Sequence, residues 1–257
     1  MSGWNQLDTG AFESMIAETV TIKGYNGDTI NAYFARPTGP GPYAGVVLVH
    51  HMPGWDEFYR ETARRYAQHG YLTLCPDLYH RFGHGSPDDV TATSRAAGGP
   101  SDDQVVGDLS ATKDYLRSLP NCNGKIGIMG TCSGGRYSFL TACRTPDFDA
   151  VVDCWGGAVV MTPEQLNAQR PVAPIDYTKD LKAPLLGLFG NDDQGPSPDQ
   201  VNQHEEELKK HGKNYDFHRY DGAGHAFIYY HAPAYRQQQA MDAWGKIFTF
   251  FEKNLQS

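Results

Sequence analysis

A chain of 257 residues is long enough to bury a sizeable core, and 40% hydrophobic with 20% charged residues describes a globular protein rather than a disordered or fibrous one. Its net charge of -8 argues against nucleic acid as a partner, since phosphate binding wants a basic patch. No run of about 18 apolar residues is present to span a membrane, the opening MSGWNQLDTGAFESMIAETV lacks the pattern of a signal peptide, and five cysteines without close paired spacing argue against a disulfide framework, so a cytoplasmic chain of one domain, residues 1–257, is expected.

In chain order, ETVTIKG and TINAYFARP alternate apolar and polar residues around the turn YNGD, which predicts an N-terminal antiparallel hairpin. Val46, Val47, Leu48 and Val49 are apolar at every position, as a strand covered on both faces should be. A loop HMPGWD, a helix near 56–69, the strand YLTLCP, a helix over QVVGDLSATKDYLRSL and the strand KIGIMG follow. The second half repeats the rhythm with a helix from about 133, strands DAVVDCWG and PLLGLFG, a helix over 198–211, the strand NYDFHRY and a last helix near 234–254. Strands alternating with helices predict an α/β fold with a mostly parallel central sheet flanked by helices, whose chemistry gathers at the carboxyl ends of the strands. Residues 81–103, polar and glycine-rich, are too long for a routine connection and read either as a lid beside the site or as a solvated surface loop.

Inspected at those strand ends, GIMGTCSGGR places a strand ending at Gly130 before Thr131, Cys132, Ser133, Gly134 and a helix. This is the G-x-nucleophile-x-G pattern of a sharp strand-to-helix elbow, with Cys132 at its centre and Ser133 out of register. The helix start favours thiolate at Cys132, and Ser133 contributes a backbone N–H. A buried structural cysteine is the bland alternative. After PLLGLFG come Asn191, Asp192 and Asp193; after the last strand comes His225 in YDGAGHAF. Nucleophile, acid and histidine in that chain order make Cys132, Asp193 and His225 a candidate triad, with Asp192 the rival carboxylate assigned to cap the following turn. The loop HHMPGW stands where such folds give a second oxyanion donor, assigned to the Met52 N–H beside that of Ser133.

With GTCSGG, GNDD and GAGHAF together, nearly the whole chain resembles the dienelactone hydrolase family of α/β hydrolases, the carboxymethylenebutenolidases. The resemblance implies the α/β-hydrolase fold and a cofactor-free, metal-free enzyme, a monomer or small homo-oligomer, that opens a small lactone or ester through an acyl-thiol intermediate. It also marks departures. His51 stands where the family has a glutamate that helps activate the cysteine, and of the family's two carboxylate-holding arginines Arg81 fits the first while Tyr229 replaces the second. The expected substrate is therefore a neutral or singly held small lactone or activated ester, with Arg81 as the residual attraction for an anion and Arg95 as the candidate to restore a clamp. Trp55, Phe227 and Tyr229, among aromatics near the strand ends, are expected to line an apolar acyl pocket or simply to pack. His50, His51, His80 and His84 lack a recognised metal-ligand spacing. A broader carboxylesterase or thioesterase, transacylation, and a non-catalytic binding protein are the competing functions.

Overall fold

The computed structural model describes residues 14–256. Most of the opening stretch on which the absence of a signal peptide was read, residues 1–13, lies outside the described residues. Eight strands form one sheet in the order β1-β2-β4-β3-β5-β6-β7-β8. The hairpin is β1 (Met15–Lys23) and β2 (Thr29–Pro37), closed through a turn in which Asn26 and Gly27 both take positive φ. β2 also pairs antiparallel with β4 (Tyr71–Pro76), and every later pairing is parallel. The central strands are β3 (Tyr43–Val49), β5 (Cys122–Thr131), β6 (Ala150–Cys154), β7 (Leu185–Gly190) and the edge strand β8 (Tyr215–Tyr220).

The unbroken apolar run of β3 has a direct cause in the layers on either side. Val46 and Leu48 face a core with α1 (Glu57–Gln68) and α6 (Gln237–Leu255). Val47 and Val49 face the other core, with α3 (Asp102–Ser118) and α4 (Ser133–Arg144). Because side chains alternate across a strand, burial on both faces leaves no position for a polar residue. α5 (Pro198–Lys210) joins β7 to β8, its start set by a capping box between Ser197 and Gln200.

Two segments depart from the sequence expectation. Residues 81–103 hold a ten-residue helix, α2 (Pro87–Ala96), opened by Ser86, whose side chain accepts from the Asp89 amide. It escaped the apolar pattern because the residues it buries are Thr91 and Ser94. Between β6 and β7 the chain makes a long excursion with short 3-10 turns at Pro163–Gln165 and Pro174–Asp180, and this excursion reaches the site. Among the described residues no helix is long and apolar enough to cross a membrane.

The last helix is held by its apolar face. Phe251 is fully buried against Tyr66 and Tyr71, with ring centroids 5.9 and 6.1 Å away. Phe251→Ala is expected to lower unfolding stability by about 3–5 kcal/mol, read as a urea midpoint shift. A loss below about 1 kcal/mol would mean that α6 is not part of the cooperative core.

Candidate active site

The elbow is a problem in close packing. Strand β5 ends at Thr131 and helix α4 begins at Ser133, so a single residue, Cys132, must turn the chain with φ 55° and ψ -123°. A β carbon on Gly134 would run into the Val49 carbonyl, and one on Gly130 would run into the backbone of Gly134. The Cys132 N–H donates to the Cys154 carbonyl at 3.0 Å, and the Cys132 carbonyl accepts from the Arg136 N–H at 3.2 Å. Backbone bonds thus hold both sides of a residue in a sparsely populated conformation, which costs of order 1–3 kcal/mol. The side chain faces a cavity of about 690 Å³ that Ser133, Met52, Asp193 and His225 also line.

The two acidic candidates separate cleanly. Asp193 is 3% exposed, and its Oδ2 lies 2.9 Å from His225 Nδ1 while its Oδ1 accepts from the Gly195 N–H at 2.8 Å. Asp192 is exposed, and its amide donates to the Ala223 carbonyl. Burial disfavours charge on His225, but the Asp193 carboxylate, together with a hydrogen bond and the charge of Cys132, outweighs it and pushes the imidazole up to about 10. With Nδ1–H donated to Asp193, Nε2 is the atom left for the sulfur. Ser133 is the first residue of α4, so its N–H has no acceptor one turn back. Next to the Met52 N–H, the Met52 carbonyl accepts from the Tyr79 hydroxyl at 3.1 Å and the Thr91 hydroxyl at 3.3 Å.

Of the remaining sequence candidates Arg95 lines this cavity, while Arg81, His51, Trp55, Phe227 and Tyr229 do not. Arg81 donates to Asp108 at 2.6 and 3.1 Å and to Asp28 at 2.8 Å, so its charge is neutralised on the far side of the loop. His51 Nε2 lies 2.8 Å from Asp56 Oδ2, and the Tyr229 hydroxyl donates to the same oxygen at 3.1 Å. Burial would raise the Asp56 carboxyl, yet His51, Tyr229 and the Tyr59 amide together hold it below the usual carboxylate range. Phe227 is fully buried against Trp155 and Tyr220, and Trp55 stacks under Arg60 beside a separate, smaller cavity. Of the two readings given for the aromatics, packing describes Trp55, Phe227 and Tyr229, while Tyr79 and Tyr137 line the cavity. His50 is buried, its Nδ1 2.9 Å from the His51 carbonyl and its Nε2 accepting from the Leu78 amide.

Sequence reasoning missed Asp56, Arg136 and Arg170. Asp56 carried a signal as the cap of α1, where its Oδ1 accepts from the Tyr59 amide. Arg136, in the first turn of α4, is 2% exposed and makes a two-pronged pair with Asp102 at 2.7 and 2.9 Å. Arg170 stands in the β6–β7 excursion, where no periodicity points to it.

Residues 30–255 match the dienelactone hydrolase family. The chain belongs to that family. A Methylorubrum extorquens protein named "Putative carboxymethylenebutenolidase" is 34% identical over 242 residues, covering 93% of this chain and 81% of its own. One of the same name from Escherichia coli K12 is 34% identical over 236 residues, covering 88% of this chain and 83% of its own. The crystal structure of a "Putative Dienelactone Hydrolase" from Klebsiella pneumoniae superposes with a TM-score of 0.84 at 30% identity, over 93% of this chain and 99% of that one. As a dienelactone hydrolase family member, the chain is an ester-hydrolysing enzyme acting on small lactones or esters.

In Cys132→Ala the hydrogen bond and charge of the sulfur are gone, so the His225 titration, followed by NMR of the imidazole, should move down from wild type. An unchanged titration would mean that Cys132 does not act on the ring.

Proposed function

We propose that Cys132, His225 and Asp193 are nucleophile, general acid–base and orienting carboxylate of a cysteine-dependent hydrolase of small lactones or activated esters. The observation that carries the proposal is the 2.9 Å His225–Asp193 pair facing the cavity into which the elbow aims Cys132. The sulfur, as thiolate beside imidazolium, attacks the carbonyl carbon, and the negative charge that develops on the oxygen is met by the Met52 and Ser133 amides. As the carbon–oxygen bond to the leaving group breaks, His225 gives its proton to the departing oxygen, leaving an acyl-thiol on Cys132. Water then attacks the thioester while His225 takes a proton from it. Collapse of that adduct releases the carboxylic acid and restores thiolate and imidazolium. Asp193 holds the ring in the tautomer that serves both steps.

Ser133 is the rival for the nucleophile, and its position speaks against it. It begins the helix, its hydroxyl is buried without a hydrogen-bond partner, and the turn is centred one residue earlier. The five cysteines are free, and a mechanism that needs a reduced thiol fits a cytoplasmic setting. Ser94, Arg95, Gly98, Gly99 and Pro100 form part of the cavity wall, the role proposed here for the 81–103 segment.

Intact-mass analysis of reactions quenched with a slow activated ester should show an acyl adduct in wild type and Ser133→Ala and none in Cys132→Ala. An adduct mapped to Ser133 would reverse the assignment. Asp193→Asn should lower kcat/KM by about a hundredfold or more, and Asp192→Asn should stay within about threefold of wild type. A selective loss in Asp192→Asn would overturn the choice of carboxylate.

A further inference from the structure

Three arginines line the cavity, Arg95, Arg136 and Arg170, and they differ in what they are already bonded to. Arg136 is fully committed, with both terminal nitrogens on Asp102 and Nε on the Ala158 carbonyl at 3.1 Å. Neither Arg95 nor Arg170 has a carboxylate partner among the described residues, and the Nε of Arg170 is buried without any acceptor. A partly desolvated guanidinium with an open N–H is costly on its own and is relieved by an anion. Tyr79 lines the same cavity as both arginines and ties it to the Met52 loop through its hydroxyl, which donates to the Met52 carbonyl at 3.1 Å.

The chain has built this pair from distant segments. After α2 the backbone reverses through Gly98 and Gly99, both left-handed at φ 84° and 81°, and the Gly99 N–H returns to the Ser94 carbonyl at 2.8 Å. The β6–β7 excursion is tied to the start of α3 by the Asp102 N–H on the Gln169 carbonyl at 2.8 Å. Arg170 Nη2 then comes within 3.4 Å of the point where a β carbon on Gly99 would sit. A residue that follows β6 thereby reaches the wall that follows β4.

We infer that Arg170 and Arg95 hold a carboxylate at the far end of the acyl half of the substrate, so that hemiesters of short dicarboxylic acids are preferred over neutral esters; this rests on the acyl-enzyme reading above. The sheet order fixes the side. Cys132 follows β5, with β3 and β4 on one flank and β6, β7 and β8 on the other. His225 follows β8 and Asp193 follows β7, and since His225 protonates the departing oxygen, the leaving group faces that flank. The acyl remainder is assigned to the wall formed by Arg95, Gly98, Gly99 and Arg170, away from that leaving-group side. This location differs from both positions named from the family pattern, Arg81 and Tyr229, whose polar atoms bond Asp108 and Asp56 instead.

The test compares kcat/KM for 4-nitrophenyl hemiglutarate, whose carboxylate is on the acyl side, with 4-nitrophenyl butyrate, and for 4-acetoxybenzoate, whose carboxylate is on the leaving side, with phenyl acetate. Wild type, Arg170→Met, Arg95→Met and Arg170→Lys are measured beside Cys132→Ala. Wild type should favour the hemiglutarate by about tenfold or more, the worth of one charge-assisted contact. Arg170→Met should lose most of that preference and Arg95→Met part of it, with butyrate turnover within about threefold of wild type. Arg170→Lys, which keeps charge without the planar fork, should retain part. In wild type alone the preference should shrink as salt rises, so the idea stays testable even if a variant folds poorly. Equal rates on hemiglutarate and butyrate, a preference only for the leaving-side anion, or a salt-independent preference that survives Arg170→Met would overturn the inference. Butyrate hydrolysis by Cys132→Ala at the wild-type rate would instead strike the acyl-enzyme reading, which separates the two failures.

Discussion

Everything about the site depends on how closely α4 can approach the sheet. Gly134 sits against the Val49 carbonyl and Gly130 against Gly134, so the helix begins almost on top of β3 and β5. That approach forces the connecting residue into φ 55°, and the strand and helix bonds on either side hold it there. A residue so held cannot fold its side chain back into the core, and the thiol is left facing the cavity. The same approach sets the first N–H groups of α4 beside the loop that follows β3, which is where charge on a substrate oxygen would need donors.

Around this fixed point the protein sorts its charges by whether they are already satisfied. Arg81 is neutralised by Asp108 and Asp28 and Arg136 by Asp102, while Asp56 accepts from the Tyr229 hydroxyl and lies 2.8 Å from His51 Nε2. Asp108 illustrates the cost and its compensation: burial would raise its carboxyl, but His80, Arg81 and the Tyr25 amide hold it below the usual range. These networks tie loops to the sheet, and they explain why residues that look available in sequence are not. Arg136 is the hub of the cavity wall, joining α4 to the start of α3 and to the Ala158 carbonyl of the β6–β7 excursion. Lining the same cavity are the sulfur of Cys132, the imidazole of His225 and two guanidinium groups, Arg95 and Arg170, that have no carboxylate partner among the described residues.

The layout of strands was legible because burial on both sheet faces imposes a pattern along the chain itself, as in Val46–Val49. The elbow, the acid loop and the histidine turn were legible for a similar reason, since each is a short run at a strand end. The pairing of Asp193 rather than Asp192 with His225 agrees with the depth of the loop after Gly190. Partners joined only in space were not legible. Arg81 lies next to a strand end but turns to Asp108, 27 residues on. Phe227 follows Ala226, whose φ is 64°, and it packs into the core against Trp155 rather than facing substrate. Helix α2 was hidden by its polar buried face, although Ser86, Pro87 and the following acids are a helix-start signal. Arg170 meets Gly99 across 71 positions of sequence with no local pattern to announce it.

The most direct measurement of the central claim is a crystal structure of the enzyme acylated by a slow ester. The expected result is a thioester on Cys132 Sγ, with φ still positive at that residue and the carbonyl oxygen about 3 Å from the Met52 and Ser133 amide nitrogens. An acyl group on Ser133 Oγ, or a thioester whose carbonyl oxygen points away from both amides, would contradict the account.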